Sequence, residues 1–359
     1  MAEVVLFGAT GHTGSLCAHA LGRRGASFAV AGRSAGRLER IAEAAGAAAV
    51  RVADARDPDA VLRAARGARA IVACVGPFVL LGDAAVEAAL RAGAHYVDSS
   101  GEASHVARLV ARRDADARAA GIVMAPAMGF DEVPADVAAT LATTGMEAAE
   151  LDLTYALPSQ ATPGTVRSSI GVLADPGTWL VRGEQVPVVT GDRVRWCPLP
   201  PPLGPRPSLS GHLAERHLAP LHLPVTTVRT HLTVGTLRRH ALRAGLPALR
   251  RAASSARGRR AAEALLMRAV DRPTPGRARR ARWTVVAEAR APAARRNVVL
   301  SGIDVYGLTA ELLALAAVEL VRGNGTHPGV VAPVEAVGLD PLRAELSRQG
   351  VVVDVYEPR

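Results

Sequence analysis

The first 125 residues alternate short apolar runs with amphipathic helical stretches, a rhythm that leaves few folds open. Strands are expected at Val4–Phe7, Phe28–Ala31, Ala48–Val52, Ala70–Val75, His95–Val97 and Ile122–Ala125. Helices are expected between them, at Thr13–Arg24, Leu38–Ala45, Pro58–Ala65, Ala84–Ala92 and His105–Ala119. Asp57 before Pro58 supplies an N-cap and then a proline at the first helical position, where its missing N–H costs nothing. Five strand–helix–strand crossovers in succession imply a parallel, doubly wound α/β sheet.

After Pro126 the rhythm changes. Leu151–Ala156, Val186–Val189, Val194–Cys197, Val225–Val234, Trp283–Arg290 and Asn297–Val305 read as strands of a mixed or antiparallel sheet. A proline-rich loop at 198–207 and an arginine-studded helical stretch at 236–270 interrupt them, so the second domain is α+β. The tail carries a helix at Pro341–Arg348 and a strand at Val351–Val355. The expected division is 1–128, a nucleotide-binding domain; 129–327, an α+β substrate and dimerisation domain; and 328–359, a segment packing back on the first domain. A chain of 359 residues suits two domains of ordinary size.

The strongest local motif is Gly8-Ala9-Thr10-Gly11-His12-Thr13-Gly14, spaced G-x-x-G-x-x-G. A strand feeds it and a helix leaves it, so backbone N–H groups and the positive helix end converge where a pyrophosphate can sit. The second strand then ends Ala31-Gly32-Arg33-Ser34. An NAD site places a carboxylate about 20 residues beyond the glycines to accept from the ribose hydroxyls. Arg33 stands there instead, able to pair bidentately with a 2′-phosphate while Ser34 adds a hydroxyl, which favours NADPH over NADH.

The fourth strand ends Cys74-Val75-Gly76-Pro77-Phe78 and the fifth ends Val97-Asp98-Ser99-Ser100-Gly101-Glu102, both at the carboxyl edge where open α/β sheets bind ligands. Asp98 and Glu102 are candidate acids near a nicotinamide, and each also has a structural reading, as a turn residue and as a partner for a helix dipole. Asp131, in Gly129-Phe130-Asp131-Glu132, reads as a helix cap or a ligand contact. Tyr306 is a further proton-donor candidate. Cys74 lacks a neighbouring base and reads as a small hydrophobe. His212, His217 and His222 recur every five residues, which matches no zinc spacing, so no metal is expected.

Charge narrows the chemistry. All 43 basic residues are arginine, against 33 acidic ones. A Schiff-base lysine, a P-loop lysine and the Tyr-x-x-x-Lys pair of short-chain dehydrogenases are therefore excluded. Arginine pairs at 238–239, 250–251, 259–260 and 279–280 flank apolar residues, giving basic amphipathic helices. A solvated face, an acidic carrier protein and an anionic membrane surface are the readings of that stretch. No basic patch interleaved with aromatics points to nucleic acid. Three cysteines without metal spacing and an N-terminus lacking a signal-peptide pattern lead to the expectation of a cytoplasmic protein.

These residues together resemble the saccharopine dehydrogenase-like family, in particular its branch containing trans-acting enoyl reductases. The resemblance runs from GATGHTG (8–14) and AGRS (31–34) through CVGPF (74–78), AGAHYVDSSGE (92–102) and GFDEVPAD (129–136) to PGTVRS (163–168), DVYGLTAELLALA (304–316) and PGVVAPVEAVG (328–338). It implies a Rossmann domain joined to a mixed-sheet domain, with the site in the cleft between. It also implies that Gly8, Thr10, Gly11, His12, Thr13 and Gly14 hold the pyrophosphate and that Val75, Gly76 and Pro77 pass the nicotinamide side. The implied activity is NADPH-dependent reduction of an enoyl thioester C=C or an imine C=N, on a small-molecule or carrier-bound acyl substrate. A catalytically silent NADP-binding protein on lipid surfaces is the alternative. Lysine-based acid–base chemistry cannot transfer to this chain.

Overall fold

The computed structural model describes residues 2–158, 161–174, 177–233, 245–252, 255–269, 280–325 and 327–357. The chain separates into two compact units. The first comprises Met1–Gly101, His105–Val133 and Val305–Glu345; the second comprises Glu102–Ser104, Pro134–Asp304 and Leu346–Arg359.

In the first unit, β1 (Val4–Phe7), β2 (Phe28–Gly32), β3 (Ala49–Val52), β4 (Ala70–Ala73), β5 (His95–Asp98) and β6 (Val123–Ala125) alternate with α1 (His12–Arg23), α2 (Ala35–Ala45), α3 (Pro58–Ala65), α4 (Phe78–Ala92) and α5 (Ala103–Ala119). Their order across the sheet is β3-β2-β1-β4-β5-β6, with all pairs parallel. This is the doubly wound Rossmann arrangement, and its order reverses between β1 and β4. The central strands are buried on both faces, as VVLF in β1 and AIVA in β4 require. Asp57 caps α3 as expected, its carboxylate accepting from the backbone N–H groups of Asp59 and Ala60. Helix α4 starts at Phe78, six residues earlier than the sequence pattern suggested.

The second unit is built on β7 (Ala149–Ala156), β8 (Gly177–Val181), β9 (Glu184–Val188), β10 (Val194–Cys197), β11 (Arg206–Gly211), β12 (Val225–Thr233), β13 (Trp283–Ala291) and β14 (Ala294–Gly302). Helices α6 (Glu132–Thr143), α7 (Pro163–Ala174), α8 (Glu215–His222) and α9 (Ala256–Ala269) lie between strands, and the first two residues of α6, Glu132 and Val133, belong to the first unit. Pairing is antiparallel except between β7 and β12. One face of β7 carries Leu151, Leu153 and Tyr155, all fully buried. The other carries Glu150, Asp152 and Thr154, and the register sets Asp152 beside both Glu288 and Arg229. Asp152 is only 2% exposed, with Arg290 at 2.9 Å and Arg229 and Arg195 at 3.7 Å. Cys197, Leu199 and Leu203 cover part of this polar face, packing on Val286 and Val299.

The last 55 residues contribute to both units. Helix α10 (Val305–Arg322) packs along α1, and β15 (Gly329–Val330) extends the Rossmann sheet beyond β6. Short α11 (Pro333–Val337) and α12 (Leu339–Arg348) follow, and β16 (Val352–Tyr356) pairs with β14 at the edge of the second sheet. No helix among the described residues is long and apolar enough to cross a membrane.

Candidate cofactor and proton-donor site

The glycine loop between β1 and α1 is shaped by close approach. Gly8 has φ +79°, and a Cβ there would lie 2.4 Å from the Cys74 carbonyl oxygen; a Cβ on Gly14 would lie 2.2 Å from the Gly8 carbonyl oxygen. Neither position accepts a side chain, because the colliding atoms are backbone. The loop closes through Gly11 N–H to Gly8 O at 2.9 Å, and Gly11 precedes the first turn of α1 without a side-chain cap. The positive end of α1 thus meets the glycine loop, where an anion is favoured. Gly8 against Cys74 also fixes the loop containing Val75, Gly76 and Pro77 beside the β1 loop, across the switch point of the sheet.

Arg33 is exposed at the end of β2 and Ser34 precedes α2 in extended conformation. Arg37, one turn into α2, donates to the Thr10 carbonyl at 3.2 Å and so ties the second arginine of AGRSAGR to the glycine loop. Sequence reasoning missed it; the i, i+4 spacing from Arg33 was the available signal. The nearby Asp54 carboxylate is engaged by Arg56 through side-chain contacts at 2.6 and 3.1 Å and a backbone bond at 3.0 Å. Those bonds to Arg56 hold its pKa at about 2.

Asp98, at the tip of β5, is fully buried and acts as a hub. One oxygen accepts from Ser100 N–H (2.8 Å), Ser100 Oγ (2.7 Å) and Ala127 N–H (2.9 Å); the other accepts from Tyr96 Oη (2.8 Å) and faces His105 Nε2 (3.0 Å). Burial alone would raise its pKa, but the bonds from His105, Ala127 and Ser100 keep it below the ordinary carboxylate value. Burial and the Asp98 charge push the Tyr96 phenol upward. The hub joins the β5–α5 loop, the β6–α6 loop and α5. His105 also wedges against α4, where a Cβ on Gly82 would lie 2.7 Å from the ring.

The β6–α6 loop brings two carboxylates to the same spot. A Cβ on Gly101 would lie 3.1 Å from Glu132 Oε1 and 3.2 Å from Asp131 Oδ2, and one on Gly129 would lie 2.8 Å from Asp131 Oδ1. Asp131 is half-buried and immediately precedes α6; Glu132 is 1% exposed. Tyr306, near the start of α10, stacks edge-on against His12 with ring centroids 4.9 Å apart, and Thr309 Oγ1 accepts from the Phe130 N–H at 3.1 Å. Helix α10 is therefore held to both the glycine loop and the Asp131 loop. Glu102 groups with the second unit, where it accepts from Ser168 Oγ at 2.8 Å. Of the four candidate acids, the first unit gathers Asp98, Asp131 and Tyr306.

With this geometry, residues 4–124 match the family described as saccharopine dehydrogenase NADP binding domain. The similarity to that family covers about a third of the chain. A lipid droplet localized protein of Caenorhabditis elegans is 37% identical over 147 residues, and a trans-acting enoyl reductase of Mycobacterium leprae is 36% identical over 141. Each match covers 38% of this chain and 34% of the relative, so it spans about a third of the relatives' length. The apo saccharopine dehydrogenase (L-Glu forming) of Saccharomyces cerevisiae superposes over the whole of both chains with a TM-score of 0.67 at 14% identity, a likeness of fold.

The stretch that matches this family fits a dinucleotide on two counts in this structure: glycines where any Cβ would collide, and two arginines beside Ser34. Its cysteines are not poised for reaction. Burial and Asp98 raise Cys74 to about 12, so it stays a thiol. No group of His, Cys, Asp and Glu suited to a metal occurs among the described residues. His222 pairs with Asp136 at 2.7 Å, and burial with Arg216 lowers His217 to about 3. Of the basic stretch, Arg238, Arg239 and Arg279 lie outside the described residues; α9 packs on α7 through Ala262 and leaves Leu265 exposed.

Proposed function

We propose that the chain is an NADPH-dependent oxidoreductase that reduces a polarised double bond, an enoyl thioester C=C or an imine C=N, on a small-molecule or carrier-bound acyl substrate. The observation that carries this reading is the convergence of a dinucleotide cradle and the Asp131–Glu132 carboxylates at the carboxyl edge of one parallel sheet. The trans-acting enoyl reductases among the relatives support the substrate class. Bound NADPH would supply a hydride; the chain's task is then to orient both partners and deliver one proton.

Asp131 is the residue we assign to the proton. Asp98 is fully buried, with both oxygens committed to five donors or ring contacts, so neither is available to meet a substrate. It serves better as the anchor that positions the Ser100 and Ala127 loops. Glu102 is engaged by Ser168, and Tyr306 by His12. Asp131 is half-buried at the loop tip, with Gly101 and Gly129 clearing the space beside its carboxyl. NADPH oxidation should be followed with crotonyl-type thioesters and cyclic imines. Asp131→Asn should lower kcat at least 100-fold with NADPH affinity within about twofold, in the range for loss of a general acid. Equal turnover in wild type and variant would remove Asp131 from the chemistry, and no turnover on any substrate would remove the reductase.

A second reading, a catalytically silent NADP-binding protein on lipid surfaces, is favoured by the lipid droplet localized relative and by α9, where Arg257, Arg259, Arg260 and Arg268 accompany an exposed Leu265. Sedimentation with anionic vesicles that is lost in Leu265→Asp, joined to absence of turnover, would establish it over the enzyme.

A further inference from the structure

The second unit contains a concavity of about 800 Å³ at the sheet edge where β7 and β12 begin and β13 ends. Its wall carries three guanidinium groups, Arg182, Arg290 and Arg295, and one carboxylate, Glu150. Glu150 is held by Arg229 at 3.2 Å, which reaches it diagonally from β12. Arg290 is oriented from below by the buried Asp152 at 2.9 Å and by Glu288 at 3.8 Å, both through one nitrogen of a group with five N–H donors. Arg182 and Arg295 are exposed and pair with no carboxylate among the described residues. The wall therefore has two positive charges in excess, with one arginine preset in direction by a buried partner.

The backbone is unusual at the same place. Only four non-glycine residues among those described have positive φ, and two of them, Ala148 (+50°) and Arg182 (+52°), line this concavity. Arg182 and Gly183 form the two-residue turn of the β8–β9 hairpin, with φ +52° and +83°. Such a turn favours Asn-Gly, since a side chain beyond Asn strains the first left-handed position. The turn itself gains nothing from arginine. An arginine held there at a conformational cost, facing two others, is the pattern of a built anion site.

We propose that this concavity binds a phosphate group carrying two negative charges, borne by a soluble phosphorylated molecule or by a phospholipid headgroup. Guanidinium forks match phosphate oxygens bidentately, and the charge excess of the wall equals that of a phosphate monoester near neutral pH. The site is separate from the dinucleotide cradle, since all its lining residues belong to the second unit and the cradle to the first.

The test uses the full chain saturated with NADPH, so that the glycine loop is occupied. Calorimetry with pyrophosphate reads the soluble arm; co-sedimentation with phosphatidic acid vesicles, against phosphatidylcholine alone, reads the headgroup arm. Binding in either arm is expected to weaken at least tenfold in Arg182→Asn and in Arg295→Ser. Arg182→Asn relieves the turn and should melt at or above the wild-type temperature, which separates lost binding from lost folding. Absence of binding in both arms, binding unchanged by the two substitutions, or citrate bound as tightly as pyrophosphate would each overturn the proposal.

Discussion

At the scale of single residues, the tip of β5 shows how one carboxylate can be taken out of chemistry by its neighbours. Replacing Asp98 with Asn keeps the shape but turns one acceptor into a donor that faces Tyr96 and His105 or the two backbone N–H groups. A loss of about 2–4 kcal/mol is expected in urea unfolding. The sign of the pH effect follows from the lowered pKa in the fold. Asp98 contributes stability above the pKa of an unfolded aspartate, near 3.9, and that contribution disappears as pH falls through the lower folded value. Wild type should therefore lose stability steeply below about pH 4, and Asp98→Asn should show a shallower slope there. Arg33 offers a second test. Arg33→Asp should weaken NADPH at least tenfold more than NADH in fluorescence titrations, because the new carboxylate meets a 2′-phosphate in one and a hydroxyl in the other. Both residues could be singled out from the sequence, since each ends a strand on the ligand side. What could not be read was occupancy: that Asp98 is saturated and that Asp131 shares its place with Glu132 depend on loops distant in sequence meeting at Gly101 and Gly129.

Among the elements, the contrast between the two sheets explains which strands were recognisable. Parallel strands buried on both faces are unbroken apolar runs, so β1, β2 and β4 stood out. In the second sheet, β11 reads Arg-Pro-Ser-Leu-Ser-Gly, its first two residues falling in the expected proline-rich loop, and neither it nor β8, Gly-Thr-Trp-Leu-Val, carries an apolar run that predicts a strand. The hydroxyl residues of β11 are buried on a polar face, with Ser208 and Ser210 fully covered and bonded to Thr233 and Val189. A buried polar face defeats any reading in which polar means outside. Helix contacts in the first unit make a sharper prediction. A Cβ on Gly22 of α1 would lie 2.2 Å from the Ala45 carbonyl at the end of α2. Gly22→Ala should cost about 1–3 kcal/mol despite the better helix propensity of alanine, as measured by thermal melting. If the variant is stabilised instead, the two helices do not approach in this way.

For the molecule as a whole, acid should act on the second unit before Asp98 is reached. His231 is buried against Trp179, and burial lowers its pKa to about 4, with the Asp152 charge only partly opposing. An unfolded histidine takes up its proton near pH 6.5, so between pH 6.5 and 4 the unfolded chain gains a proton that the folded one refuses. Stability should decline across that window by at most about 3 kcal/mol from this residue, and His231→Gln should flatten the decline in urea melts. The gross architecture, a Rossmann sheet followed by a mixed sheet, was accessible from hydrophobic rhythm alone. The path of the last 55 residues was not, because α10, β15 and β16 are ordinary elements whose sheet partners are set by tertiary pairing. That path has a consequence for the order in which the protein can be made. Nucleotide-binding loops are translated first, yet the helix that holds His12 and the Asp131 loop, and the strand that completes the same sheet, emerge only after residue 304. A nascent chain stalled at that point would carry every glycine of the cradle and lack the parts that steady it, so NADPH capture should begin only once α10 has cleared the ribosome.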